Sequence, residues 1–251
     1  TAAIRGRMLQ TTSSGGTCNT PKQCCDVVQG CVGGFARAAK VVDTIRTSNQ
    51  NVLVFDTGLS LGDTLFYVRY HGTKTKILME DSKFDYRGLG STELYLGPDS
   101  FISDSGNSTQ YSFVCSNCNI QNPLDPLRKQ ILKSAVKIID GVKVGIVGYA
   151  SEHTCQNTAW CDNRIKMLAP AAAVQSAVDE LRADGVKVVI AVSSAGAVGS
   201  NYDIEIAQSL HGVDVILGLF YKGDYSFLNE VLDKQGKTVL VLLAKQMLVN
   251  V

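Results

Sequence analysis

The spacing of apolar residues along the chain predicts three amphipathic helices. In Gly33–Arg46 the apolar positions recur every three to four residues and leave a solvated face of Arg, Lys and Asp. Pro170–Ala183 is a second predicted helix, because Pro170 suits a helix N-terminus and Gly185 suits the position just after its end. A shorter helix is predicted at Tyr202–Leu210. Each of these segments needs an apolar surface to pack against.

Short apolar runs between the helices predict strands that are buried on both faces. They are Asn51–Asp56, Lys143–Tyr149, Val186–Val192 and Val213–Leu217. Strands that alternate with helices predict a layered α/β fold, and continuously apolar strands indicate that both sheet faces are covered. No repeat or low-complexity linker divides the chain, so residues 1–251 are expected to form a single domain.

The net charge and the length of the apolar runs argue against nucleic-acid binding and against a membrane span. Lys and Arg total 24 against 23 Asp and Glu, a net charge of +1, so no basic field favours nucleic acid. The longest apolar run, Val239–Ala244, is far shorter than the roughly 18 residues that span a bilayer. We therefore expect neither a nucleic-acid partner nor a membrane span. The chain does not open with the pattern of a signal peptide, which is expected to have been removed.

Eight cysteines fall into three clusters and indicate a disulfide framework. The clusters are Cys18, Cys24, Cys25 and Cys31; Cys115 and Cys118; and Cys155 and Cys161. Zinc ligands come in closely spaced pairs, whereas the first cluster has spacings typical of two small disulfide loops whose pairing stays open. Cys115 and Cys118 form a C-x-x-C motif after Tyr111–Val114, which is a further predicted strand, and this favours a structural bridge over a redox site at a helix start.

A glycosylation sequon supports an extracellular location. Asn107-Ser-Thr109 lies in a loop rich in Ser, Gly and Asp, where an N-linked glycan on Asn107 would be exposed. Together with eight cysteines, the sequon predicts a secreted or cell-surface protein.

The loops that follow the predicted strands contain few catalytic groups. In α/β folds, chemistry collects at the carboxyl ends of strands. Here those loops start at Asp56, Ser193 and Gly218, and they offer one Asp, no His and several apolar or aromatic side chains.

Five collinear stretches resemble the N-terminal metallophosphatase domain of the 5'-nucleotidase family. They are Gly33–Arg46, Asn51–Phe66, Lys143–Ser151, Val178–Gly185 and Ile204–Gly218. The resemblance implies a four-layer α-β-β-α sandwich, in which two packed sheets are flanked by helices. It also implies that the family's C-terminal nucleotide-specificity domain is absent from this chain.

The same resemblance implies chemistry for which this sequence lacks the residues. The family hydrolyses phosphate esters with two divalent cations held by His, Asp and Asn at strand ends. The corresponding positions here are Ala3-Ile4-Arg5 for D-x-H, Leu59 for the bridging Asp, Gly90–Glu93 for G-N-H-E, Ser193–Gly196 for S-H-S-G and Gly218–Lys222 for G-G-H-S-H. The chain has three His in all, and none falls on a motif position. We therefore expect no metal cofactor and no catalytic residues.

Several residues at or near the motif positions have more than one possible role. Arg5 and Lys222 are candidates for an anion-binding pocket, but ion pairs with Glu93 or Asp56 are the favoured interpretation. Glu93 is otherwise expected to be a structural hydrogen-bonding residue, and Asp56 to cap the loop after its strand. The three histidines, His71, His153 and His211, are expected at the surface. Phe220 and Tyr221 would fill a core or form a contact surface.

The favoured hypothesis is a catalytically inactive, secreted structural module. It would be stabilised by disulfides, glycosylated at Asn107, and assembled with copies of itself or other extracellular proteins into a fibre or surface coat. One alternative is a pseudoenzyme that binds an anion or nucleotide through Arg5 and Lys222. The other is a working phosphohydrolase whose metal ligands come from elsewhere.

Overall fold

A computed structural model describes residues 11–12, 31–32, 34–60, 69–156, 161–195, 201–220 and 228–245. The helices are α1 (Phe35–Ser48), α2 (Thr73–Asp81), α3 (Pro98–Phe101), α4 (Leu127–Gln130), α5 (Pro170–Ala183) and α6 (Tyr202–Ser209), and a π-helical turn (Ile102–Gly106) follows α3. The strands in the first half are β1 (Thr11–Thr12), β2 (Cys31–Val32), β3 (Phe55–Asp56), β4 (Tyr86–Gly88), β5 (Ser112–Val114), β6 (Cys118–Ile120) and β7 (Ile131–Leu132). The remaining strands are β8 (Ser134–Ile139), β9 (Val142–Tyr149), β10 (Ile165–Met167), β11 (Val188–Ser193), β12 (Val215–Phe220), β13 (Leu228–Leu232) and β14 (Thr238–Lys245).

Two sheets carry most of the described strands. The large sheet has six strands in the order β13-β14-β12-β11-β9-β8, and its four inner strands are parallel while β13 and β8 pair antiparallel at the edges. The small sheet has the order β3-β4-β5-β7, and all its pairs are parallel. Parallel strands place their carboxyl ends at one edge, so side chains from distant parts of the sequence meet there.

Three apolar clusters separate four layers. Helices α5 and α6 cover the outer face of the large sheet through residues such as Val178 and Ile206. Helices α1 and α2 pack on the small sheet through Phe35 and Met79. Between the sheets lies a third cluster that includes Ile146. This is the predicted α-β-β-α sandwich.

The predicted elements agree with the observed ones, with one clear difference in length. Helix α5 has the predicted bounds, and α1, α6 and the three predicted strands of the large sheet, β9, β11 and β12, lie within a few residues of theirs. The strand predicted at 51–56 is reduced to Phe55–Asp56. Here the Asp85 carboxylate accepts a hydrogen bond from the Val54 amide at 2.8 Å, so a side chain replaces a ladder partner.

Helices in the described part of the chain are all too short or too polar to cross a lipid bilayer. The longest of them, α1 and α5, have 14 residues each. About 20 apolar residues are needed for such a span.

Candidate functional site

The two sheets meet where Ser194, just after β11, reaches the end of β3. The Ser194 hydroxyl donates a 2.6 Å hydrogen bond to the carbonyl oxygen of Thr57. A Cβ atom at Gly88 would collide with the Ser194 hydroxyl, and one at Gly58 would lie only 2.6 Å from it. Glycine is therefore required at both positions, because the strand ends approach so closely that the chain's own atoms fill the space between them.

Glu93 binds two loops through its carboxylate. The side chain is only 1% exposed, and it accepts hydrogen bonds from the backbone amides of Leu59 at 3.0 Å, Ser60 at 2.8 Å and Gly90 at 2.9 Å. The hydroxyl groups of Ser60 and Thr92 lie 3.1 Å and 3.3 Å from the same carboxylate. A carboxylate saturated in this way fixes the loop after β3 against the loop after β4. The prediction that Glu93 is a structural hydrogen-bonding residue agrees with this geometry.

Arg87 lies at the centre of the site and is fully buried. Its Nε donates to Asp56 at 3.0 Å, its other nitrogens contact the Ser60 hydroxyl and the Tyr111 hydroxyl, and its guanidinium lies 4.7 Å from the Phe113 ring centroid. Burial favours a lower pKa for Arg87, but Tyr111 and the carboxylates of Asp56 and Glu93 raise it above its ordinary value. The guanidinium is therefore charged inside the small sheet.

Asp56 has a different role from the expected loop cap. Its carboxylate pairs with Arg87, and its Oδ1 atom is buried without a hydrogen-bond partner in the described structure. The cross-strand register explains the correction, because Asp56 and Arg87 stand directly opposite each other on β3 and β4. Sequence reasoning missed Arg87, because the strand that carries it is the short segment Tyr86–Gly88, which has no apolar run to signal it.

Leu59 occupies the position where the resemblance implies a bridging Asp. Its backbone has a left-handed φ of 57°, which is unfavourable for a residue of this kind. The side chain is 2% exposed and packs so closely on Gly90 that a Cβ there would lie 2.6 Å from a Leu59 methyl group. An apolar side chain therefore fills this corner of the site.

Asp203 forms a second buried cluster at the ends of the large-sheet strands. Oδ1 of Asp203 accepts hydrogen bonds from the hydroxyl groups of Tyr149 at 2.7 Å and Ser193 at 2.6 Å. Burial raises the pKa of Asp203, while the bonds from Ser193 and Tyr149 act in the opposite direction. Its carboxyl also lies where a Cβ at Gly218 would be, so β12 needs glycine at this position.

An apolar cavity of about 320 Å³ lies beside β3. Residues that line it include Val42, Ile45, Phe55, Leu217 and Leu242, and Thr57 is the one polar side chain among them. Phosphate needs cationic or amide donors, so this lining does not suit a nucleotide phosphate.

The other predicted site residues fall into three groups. Cys115 is bonded to Cys118 and Cys155 to Cys161, with Cα separations of 5.4 and 5.5 Å, in agreement with the disulfide prediction. Asn107 is exposed, as are His71 and His153, and His211 is partly exposed. Predictions for Arg5, Cys18, Cys24, Cys25, Tyr221 and Lys222, and for the side chains of Cys31 and Phe220, lie outside the described residues.

The described residues at these strand ends do not fit a dinuclear metal centre. Metal ions need carboxylate or imidazole ligands with free lone pairs. Glu93 is saturated by the chain's own donors, Asp56 is paired with Arg87 and keeps a single unbonded oxygen in the described structure, and the side chain of Leu59 has no ligand atom. Within the described ranges no group of three or more His, Cys, Asp or Glu converges in a way that could hold a metal ion.

Comparison with known proteins points to one family, although no family model matches the chain. The sequence is 31% identical over 189 residues to the 5'-nucleotidase of Rattus norvegicus, covering 75% of this chain and 32% of the rat protein. It is 27% identical over 219 residues to a snake venom 5'-nucleotidase of Naja atra, covering 86% of this chain and 39% of that protein. The matched part of the chain thus spans 32% and 39% of the length of these two relatives.

A solved structure gives the same result at the level of the fold. The 5'-nucleotidase precursor of Thermus thermophilus superimposes with a TM-score of 0.82 at 25% identity, covering 99% of this chain and 48% of that one. The similarity extends over both sheets and their helices.

Proposed function

We propose that this chain, which belongs to the 5'-nucleotidase family, is a catalytically inactive member that acts as an extracellular structural module. One observation carries the proposal: the carboxylates at the strand ends are occupied by the chain's own donors. Glu93 is bound by three backbone amides and Asp56 by Arg87. Of these carboxylate oxygens, Oδ1 of Asp56 alone lacks a hydrogen-bond partner in the described structure, and one oxygen beside a guanidinium group does not suffice to hold two cations.

The proposed loss of activity follows from what phosphate ester hydrolysis by this family requires. Two cations clamp the phosphate and generate the attacking hydroxide, which is a chemical role that no buried Arg or Leu can fill. Leu59 and Ser194 stand where the resemblance implies ligands, and Ser194 is committed to Thr57. Substrate would also find no open space between Gly58, Gly88 and Ser194.

An extracellular location is supported by covalent features of the chain. Disulfides persist in oxidising compartments and are rare in the cytosol. Cys115–Cys118 and Cys155–Cys161 are both bonded, and the Asn107 sequon lies in an exposed stretch. One relative is a venom protein by name.

Self-association is the proposed use of the retained fold. The edge strands of the large sheet expose apolar side chains: Ile138 on β8 is 67% exposed and Leu232 on β13 is 63% exposed. Sheet edges of this kind pair readily with other strands. In this proposal copies pack edge to edge into a fibre or surface coat.

Assembly is tested by light scattering and electron microscopy of the purified protein. We expect regular oligomers or filaments, and we expect Ile138→Lys and Leu232→Lys to give monomers with an unchanged circular dichroism spectrum. Lys137→Glu on the same edge strand is the control for a general effect of charge. A wild-type protein that stays monomeric at all accessible concentrations would rule out the assembly role.

Two alternatives remain for the same site. The names of the relatives favour a nucleotide phosphohydrolase, and Arg5 and Lys222 would favour an anion-binding pseudoenzyme. AMP hydrolysis is measured with Mn²⁺, Zn²⁺, Mg²⁺ and Co²⁺ beside the rat 5'-nucleotidase, and binding of phosphate and AMP by calorimetry. Our proposal expects neither turnover nor heat; metal-dependent turnover supports the first alternative and binding alone supports the second.

A further inference from the structure

Arg87 sits between its two main partners because of the register of the small sheet. On β3 its directly paired neighbour is Asp56, and on β5 it is Phe113. Asp56 accepts the Nε hydrogen bond and Phe113 presents its ring to the guanidinium. The Arg87 side chain thus packs between a carboxylate from the strand on one side and an aromatic ring from the strand on the other side.

Three ionisable side chains are buried together here: Asp56, Arg87 and Glu93 are 0%, 0% and 1% exposed. Buried carboxylates are strongly unfavourable unless a positive charge or several donors compensate them. Glu93 obtains its compensation from backbone amides, whereas the cation available to Asp56 among the described residues is Arg87.

We propose that the Arg87 guanidinium is an internal cation that replaces bound metal ions at these strand ends, so that the domain closes its loops without metal. The inference rests on the proposed function, in which the family's two metal ions are not bound. The inference adds that the Arg87 guanidinium supplies the positive charge that holds the loops together in place of the metal ions.

The guanidinium connects the same loops that Glu93 connects. It contacts Ser60 in the loop after β3, and Ser60 in turn bonds to Glu93 from the loop after β4. The remaining contact, to Tyr111 just before β5, extends the network to a third strand. Five donors in a fixed plane can serve several acceptors at once, which a single ammonium group cannot do.

A bound divalent ion would conflict with this network. It would lie beside a permanent positive charge in a region shielded from water, where like charges repel strongly. Oδ2 of Asp56, the Ser60 hydroxyl and the Glu93 carboxylate are already bonded to Arg87 or to backbone amides, which leaves Oδ1 of Asp56 as the one unbonded oxygen of this described cluster.

The test is the thermal stability of the whole chain with Arg87 replaced. Arg87→Ala is expected to lower the melting temperature, and low millimolar guanidinium chloride, far below denaturing concentrations, is expected to restore part of the loss by filling the cavity. Arg164→Ala removes another arginine, one paired with Asp125 near the surface, and is the matched control that guanidinium should not restore. Wild-type melting is expected to be the same with EDTA and with added Mn²⁺ or Zn²⁺.

Several results would overturn the inference. The first is an Arg87→Ala variant that is as stable as the wild type. The second is a failure of guanidinium to raise the melting temperature of Arg87→Ala, or an equally large rise in Arg164→Ala. The third is a wild-type melting temperature that EDTA lowers. If Arg87→Ala fails to fold, Arg87→Lys and Arg87→Met decide: the lysine variant must be the more stable, and equal or reversed stability contradicts us. If the wild type does not hydrolyse AMP and any of these results is found, only this inference is refuted. Metal-dependent hydrolysis of AMP by the wild type would refute the proposed function itself.

Discussion

The hydroxyl of Ser194 donates a 2.6 Å hydrogen bond to the carbonyl oxygen of Thr57, and this contact ties the end of β11 in the large sheet to the end of β3 in the small sheet. The two residues are 137 positions apart in sequence. Glycines 58 and 88 leave just enough space for the hydroxyl group. The contact therefore closes the edge at which α/β proteins of this kind usually bind ligands.

Removal of this hydroxyl should destabilise the fold. Ser194→Ala leaves the Thr57 carbonyl buried without its donor, which costs about 1–3 kcal/mol of unfolding free energy. Urea denaturation measures the loss, and Ser176→Ala on the exposed face of α5 is the control, with an expected change of less than about 0.5 kcal/mol. Equal stability of the two variants would mean that the inter-sheet contact is not structural.

Restoring the family's histidine at this position should not restore function. Ser194→His would press an imidazole ring against Gly58 and Gly88, where even a Cβ atom does not fit. We expect a larger loss of stability than in Ser194→Ala and no gain of phosphatase activity. The comparison uses urea denaturation and AMP hydrolysis on the same preparations, and a stable, metal-dependent hydrolase would contradict the closed geometry.

Asp203 should make the protein less stable as the pH rises from 3.8 towards the folded-state pKa of its carboxyl group. Its pKa is raised above the ordinary 3.8 in the folded state. The unfolded chain loses the proton near that value while the folded chain keeps it, so unfolding free energy falls between 3.8 and the folded pKa, by about 1.4 kcal/mol for each unit between them. Asp203→Asn, which still accepts bonds from Tyr149 and Ser193, should lack this decline.

Urea titrations from pH 4 to 8 test the Asp203 prediction. The difference in unfolding free energy between the wild type and Asp203→Asn is the quantity to follow, because it removes the contribution of every other titrating group. Asp184→Asn, at an exposed ion pair with Lys143, is the control. A constant difference across the range would show that Asp203 is not buried as an acid.

The disulfides should be local and should contribute to stability. Non-reducing peptide mapping is expected to recover Cys115 linked to Cys118 and Cys155 linked to Cys161. Replacing either pair by serine should cost about 2–4 kcal/mol, at the lower end for these short loops. Crossed pairing, or free thiols at these four positions in protein purified under oxidising conditions, would refute the assignment.

Secretion from eukaryotic cells should add one N-linked glycan at Asn107. Thr109→Ala destroys the sequon and should remove the mass difference that a glycosidase reveals. Ser108→Ala is the matched control, since it keeps the sequon while removing the 2.7 Å bond from Ser108 to Glu80. If both variants lose the glycan, the loss is due to a change in local structure and not to the sequon. A wild-type protein without a glycan would contradict the prediction.

Sequence periodicity was sufficient for helices α1, α5 and α6 and for strands β9, β11 and β12 of the large sheet, but it did not predict the shorter helices or the strands β8, β13 and β14. Helix α5 has clear signals at both ends, Pro170 in its first turn and Gly185 with a φ of 78° behind it, and its predicted bounds are the observed ones. Strand β3 is shorter than predicted because Asp85 takes the Val54 amide with its side chain. The periodicity of apolar residues does not indicate where a side chain, rather than a neighbouring strand, accepts a backbone hydrogen bond.

The site was only partly predictable for a different reason. The motif positions, including Leu59 and Glu93, followed from the resemblance, which depends on order along the chain. Arg87 and Asp203 did not, since their roles arise from neighbours that the strand order supplies: Asp56 and Phe113 for one, Tyr149 and Ser193 for the other. Which strands become neighbours is a property of the fold rather than of any local pattern.

Anomalous X-ray scattering from crystals grown with excess Mn²⁺ shows directly whether the strand ends bind metal ions. We expect no anomalous peak at the strand ends and density for the Arg87 guanidinium against Asp56. A pair of peaks about 3.5–4 Å apart beside Leu59 and Glu93, the separation found in two-metal hydrolases, would contradict this expectation.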